Sequence, residues 1–212
     1  MMTQIFLIRH GETIWNLESR IQGHLDSPLT ETGLAQAEAL ASRFKSQRFA
    51  ALYSSDIGRA YETALRISEK NGLSVLTKPC LRERHFGILQ NELKQTLPTR
   101  FPEVFHYYKA NDPDYIIPEG ESLKQFSERC ITCLEGMAKK HVGERILVVT
   151  HGGVLVSLFK HTLGIPLSAP RHFLSLNTSV NVFSYHNNIW TLEVWGDLEH
   201  LHGLLAVDDS SQ

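Results

Sequence analysis

Two short stretches of this chain set a histidine and a glycine at the end of an apolar run. Ile5-Phe6-Leu7-Ile8 runs into Arg9-His10-Gly11-Glu12-Thr13, with Asn16 a few residues on. Ile146-Leu147-Val148-Val149-Thr150 runs into His151-Gly152-Gly153. Short apolar runs that end in glycine read as buried strands. In open α/β sheets, ligands bind at the carboxyl edge of such strands. Each stretch would therefore deliver an imidazole to that edge, and the first adds the Arg9 guanidinium. One histidine at a strand end is ordinarily a hydrogen-bonded turn residue. Two strands that end alike are hard to explain by packing. Gly11 is expected to let the backbone turn sharply and come close to a ligand.

A family resemblance joins these stretches to others. Arg9-His10-Gly11-Glu12-Thr13 with Asn16, Ser54-Ser55 with Arg59, Gly120-Glu121-Ser122 and Thr150-His151-Gly152-Gly153 resemble the histidine phosphatase superfamily, also called phosphoglycerate mutase-like. The matches fall in the family's order from the first strand to about Gly153. The combination is specific, although no single motif is.

The intervening chain reads as the scaffold for these residues. Gln22-Gly23-His24 forms a loop folding back over the first strand's end. Thr30 is a reasonable N-cap for a helix carrying Leu34, Ala37, Leu40, Ala41 and Phe44 at helical spacing. A second strand ends at Ser54-Ser55, and Arg59 stands in the first turns of the next helix. Helix N-termini favour anions, and arginine adds a bidentate donor there. Asn71-Gly72 closes that helix, and Ser74 to Thr77 forms a short strand. Ser122 and Gln125 fit a capping box for a long helix from Leu123 to about His141. A helix from Val154 to Leu163 follows the second histidine strand. A β-hairpin then forms around His186-Asn187-Asn188. The alternation predicts one α/β domain over residues 1–205, a three-layer α/β/α sandwich with a mostly parallel sheet. Residues 206–212 read as a disordered tail.

Residues 88–118 are polar and aromatic, with four prolines from Pro98 to Pro118. They read as a lid-like insertion over the site. Lys94, Arg100, His106, Tyr107, Tyr108 and Lys109 are its candidate substrate contacts.

Composition narrows the classes. The chain has 212 residues, a net charge of −2 and interspersed acids and bases, which argues against nucleic acid or anionic membrane as a partner. There is no transmembrane run, and Met1-Met2-Thr3-Gln4 leads directly into the first strand, so a cytoplasmic protein is expected. Three cysteines fit a reducing compartment. Cys130 and Cys133 are read as two core thiols on one helix face, not as a redox or metal pair. The apolar final hairpin, with Trp190 and Trp195, is either a homodimer edge or core.

The resemblance implies a metal-independent phosphatase with no cofactor, acting on a small phosphorylated metabolite. It makes His10 the nucleophile, with Arg9 and Arg59 on the phosphoryl oxygens and His151, when protonated, stabilising the transferred group. Asn16, Gln22, Gly23 and Gly152 complete the cradle. Glu83 reads on its own as a salt-bridge partner of Arg82 or Arg84. The resemblance makes it the general acid, because it stands in the family's Leu-x-Glu-x-x-x-Gly context. A transition state that spreads negative charge over equatorial oxygens suits such a cationic site. The rival is a cofactor-dependent phosphoglycerate mutase, which Lys94 would fit. Phe86 stands where mutases carry tyrosine, and no adjacent arginine pair lies between Gly87 and His151. A metal hydrolase and a catalytically inactive binding module are weaker readings. Phosphoglycerates, phosphoserine, sugar phosphates and nucleotide-derived phosphates all stay open as substrates.

Overall fold

A computed structural model describes residues 1–204. The tail read as disordered, 206–212, lies outside them. Six strands form one sheet: β1 (Thr3–Arg9), β2 (Ala51–Ser54), β3 (Val75–Thr77), β4 (Arg145–Thr150), β5 (Val180–His186) and β6 (Ile189–Asp197). Their order is β3-β2-β4-β1-β5-β6. The first four in that order pair in parallel, whereas β5 runs antiparallel to both β1 and β6. The fold class is α/β as expected, and the hairpin makes the sheet mixed. Asn187 and Asn188 take positive φ angles of 49° and 62°, which suits the two-residue turn of a tight hairpin.

Alternation along the strands sorts the core into two layers. Ile5, Leu7, Ile146 and Val148 face α6 (Leu123–Lys140) and α7 (Gly152–Leu163), where Phe126, Leu134, Leu155 and Leu158 are fully or almost fully buried. Ile8, Leu52, Leu147 and Val149 face α2 (Glu31–Phe44) and α3 (Gly58–Asn71), packing on Leu40, Phe44, Ala64 and Ile67. The short helix α1 (Ile14–Leu17) lies between β1 and α2. The helix ends follow the signals in the sequence. Thr30 accepts from the Gly33 N–H, Ser122 and Gln125 make a reciprocal capping box, and Gly72 closes α3 in the left-handed region.

A third apolar cluster, around Leu89, Leu97 and Ile117, belongs to the 88–118 segment. That segment contains two short helices, α4 (Leu97–Arg100) and α5 (Pro102–Lys109).

One expectation is corrected. Cys133 forms a disulfide with Cys80, 53 residues away in sequence, with the two Cα atoms 6.0 Å apart. Cys130 alone is a buried free thiol. Cys130 faces the core, while Cys133, three positions on, meets the turn at Pro79–Leu81. A spacing of three could not reveal that partner, and the odd cysteine count does not argue for a reducing compartment once two are bonded. No helix among the described residues is long and apolar enough to cross a membrane.

Candidate active site

The pairing of β1 with β4 brings the two histidines together. Arg9 lies in register with Thr150, and the His10 N–H donates to the Thr150 carbonyl at 2.9 Å. The imidazole centroids are 5.4 Å apart. His10 Nδ1 lies 2.7 Å from the carbonyl oxygen of Gly11. A carbonyl only accepts, so Nδ1 carries the proton and Nε2 holds the lone pair. Arg59 Nε donates towards that Nε2 at 3.3 Å. The other guanidinium nitrogens of Arg59 donate to the carbonyls of Leu25 and Gly23 at 2.8 and 2.9 Å. Gly23 therefore holds an arginine and presents its carbonyl to it.

Glu83 reaches the same cavity from the loop after β3. Its Oε1 accepts from the Arg84 N–H at 2.8 Å, and its Oε2 accepts from the Gly153 N–H at 3.0 Å. The salt bridge that the sequence offered is made elsewhere, since Arg82 pairs with Asp56. The cavity has a volume of about 520 Å³ and is lined by Arg9, His10, Gln22, Arg59, Glu83 and Gly152 among others. Asn16, Gly23 and His151 stand behind this wall. Asn16 Oδ1 accepts the Thr13 N–H in the cap of α1, and His151 Nε2 contacts Ser55 Oγ at 2.8 Å.

The sequence model of the histidine phosphatase superfamily (branch 1) matches residues 5–198, a span that includes every one of these side chains. The chain belongs to this superfamily. It is 46% identical over 202 residues to phosphoglycerate mutase-like protein 4 of Arabidopsis thaliana, covering 93% of this chain and 86% of the relative. It is 43% identical over 203 residues to the metal-independent phosphoserine phosphatase of the same plant, covering 94% and 84%. Among solved structures, Bacillus stearothermophilus YhfR aligns with a TM-score of 0.86 and 32% identity, covering 93% of this chain and 98% of that one. Membership in a histidine phosphatase family with phosphatase-named relatives makes this chain a phosphoric monoester hydrolase.

The electrostatics of this histidine phosphatase set the condition for the role of His151. His151 is fully buried beside Arg59, His10 and Arg9. Burial first, and those neighbours next, push its pKa well below the ordinary histidine value, so it is neutral in the free protein. A dianion bound among the arginines would offset both causes and favour the protonated form.

Gly11 has a packing role. A Cβ there would sit 2.6 Å from the carbonyl oxygen of Gly33, so it allows α2 to pack against the turn after β1. Of the candidate contacts in 88–118, Lys94, Tyr108 and Lys109 line the cavity. Arg100 instead pairs with Glu92, and Tyr107 stacks on Tyr115 at 4.3 Å.

Several supporting residues carry no signal in the sequence. Asn177 Nδ2 donates to the His10 carbonyl at 3.0 Å, and the Thr178 N–H donates to the Arg9 carbonyl at 3.0 Å. Ser175 offers its carbonyl to Arg9. Arg129 of α6 donates to the carbonyls of Cys80, Arg82 and Glu83, and to the Glu121 carboxylate. These links span from 8 to 169 positions and follow no local pattern. A cation at Arg129, one turn before Cys133 on an otherwise amphipathic helix, reads as plain surface.

Proposed function

We propose that this chain hydrolyses small phosphomonoesters in two steps through a phosphohistidine on His10. The observation that carries the reading is the fixed tautomer. Gly11 holds the Nδ1 proton, and the Nε2 lone pair meets Arg59 at the cavity wall. Nε2 attacks phosphorus while the ester oxygen leaves with a proton from Glu83. Arg9 and Arg59 balance charge on the equatorial oxygens, and His151 takes up a proton as the dianion settles. Gln22 and the Gly152 N–H at the start of α7 add donors, while Asn16 and Gly23 hold the cradle from behind. Glu83 then takes a proton from water, which attacks phosphorus and releases His10 and inorganic phosphate.

In this reading no cofactor or metal takes part, and the 88–118 segment acts as a lid on a single domain. The protein works in the cytoplasm on a small metabolite, without nucleic acid or membrane, and the β5–β6 edge is available for a homodimer. Support for hydrolysis over mutase chemistry comes from Phe86 and from the missing arginine pair. Protein incubated with substrate and quenched in alkali or denaturing detergent should carry an alkali-stable, acid-labile phosphate that His10→Ala lacks. A stoichiometric phosphoryl group on His10→Ala would overturn the scheme. With 3-phosphoglycerate, phosphate release independent of 2,3-bisphosphoglycerate is expected. Bisphosphoglycerate-dependent formation of 2-phosphoglycerate would instead favour the mutase.

A further inference from the structure

The cavity is far larger than one phosphoryl group needs, and its lining is unevenly charged. Eight of its described lining residues are Arg or Lys, and Glu83 is the one carboxylate among them. Arg9 and Arg59 belong to the phosphate end. Lys160 does not. It lies on the face of α7 formed by Gly153, Val156, Ser157 and Lys160, whose spacing of three and four places them in one row along the cavity. Lys160 lies eight positions after Gly152, which puts the lysine backbone roughly 12 Å along the helix from the phosphate end. Between them the wall is apolar, with Val156 on α7 and Leu123 and Phe126 on α6.

Lys160 is unusual for a lysine in being 5% exposed. Its Nζ donates to the carbonyls of Leu167 and Ala169 at 2.7 and 2.6 Å. An ammonium has three donors, so one remains for an occupant of the cavity that it lines. No carboxylate pairs with it among the described residues. Arg171, which also lines the cavity, adds a second positive charge, and with burial it depresses the lysine's pKa.

We propose that Lys160 and Arg171 form a subsite for a second anionic group on the substrate, separated from the phosphate end by an apolar spacer. The inference rests on the phosphatase reading and refines its substrate. It favours a phosphomonoester longer than a three-carbon acid, with the far anion on the order of 10 Å from phosphorus. A carboxylate and a second phosphate share the required chemistry.

The test compares two series of linear alkyl phosphates, one ending in carboxylate and one in methyl, from two to about ten carbons. The readout is kcat/KM for phosphate release by the full chain. The carboxylate series should be preferred by about ten- to a hundredfold at the longer lengths, with little preference at the shortest. Lys160→Met should abolish that preference, and Arg171→Gln should reduce it. A preference that is absent at every length, greatest for the two-carbon acid, or retained in Lys160→Met would overturn the subsite. So would an equal loss for both series in Lys160→Met, which would make the lysine only a tether for residues 167–169. Absence of phosphate release from every ester would overturn the phosphatase reading itself, and the subsite with it.

Discussion

His10 has its reactive nitrogen selected by its own neighbour in sequence, because the Gly11 carbonyl fixes the Nδ1 proton. Replacing His10 with alanine should lower turnover by at least about a thousandfold, as for other nucleophiles that act within a concerted group. Glu83→Gln keeps an acceptor oxygen but has no proton to give. It should cost roughly 10²–10⁴-fold with an alkyl phosphate, and much less with p-nitrophenyl phosphate, whose leaving group needs little protonation. Equal losses with both esters would remove Glu83 as the acid. His151 gives a prediction in pH. Its folded pKa is depressed, so below the ordinary histidine range the unfolded chain binds a proton that the native state refuses. His200, pushed down to about 4 by burial and Arg43, acts in the same direction. Thermal stability should therefore fall as pH drops from 7 towards 5. Vanadate, by favouring protonated His151, should flatten that dependence, and a pH-independent melting temperature would contradict the assignment. At this scale the sequence was readable where chemistry depends on residue type. The structure brings His10, Arg9, Arg59 and Glu83 to one cavity, and family resemblance is what points mostly to Arg59 and wholly to Glu83. Asn177 and Arg129 were not readable, because a side chain that grips a distant carbonyl leaves no periodicity behind.

Elements position these residues through close backbone contact. A Cβ on Gly33 would sit 2.0 Å from the Glu12 carbonyl oxygen, and the neighbouring backbone cannot move aside as a side chain would. Gly33→Ala should destabilise the fold by about 1–3 kcal/mol, read as a lower denaturant midpoint. Wild-type stability would show that α2 can shift without cost. Gly153 faces a different obstacle, since its Cβ would meet Glu83 Oε1 at 2.1 Å. The helices and strands themselves were legible, since capping residues and alternation are local. The sheet order was not, because β1 lies between β4 and β5, both remote in sequence.

At the scale of the molecule, the Cys80–Cys133 bond ties the loop leading to Glu83 onto α6. Denatured, unreduced protein should titrate with one thiol, that of Cys130, and reduction should lower stability by about 2–4 kcal/mol. Three reactive thiols would show the bond absent.

The backbone of the nucleophile is held from far along the chain. The His10 carbonyl accepts from Asn177, 167 positions on, and Arg9 reaches Ser175, 166 positions on. A growing chain on the ribosome therefore carries the reactive imidazole long before it has the segment that seats it. Such late-closing contacts slow the search for the native state. They also leave a half-made chain without the contacts that seat the His10 backbone.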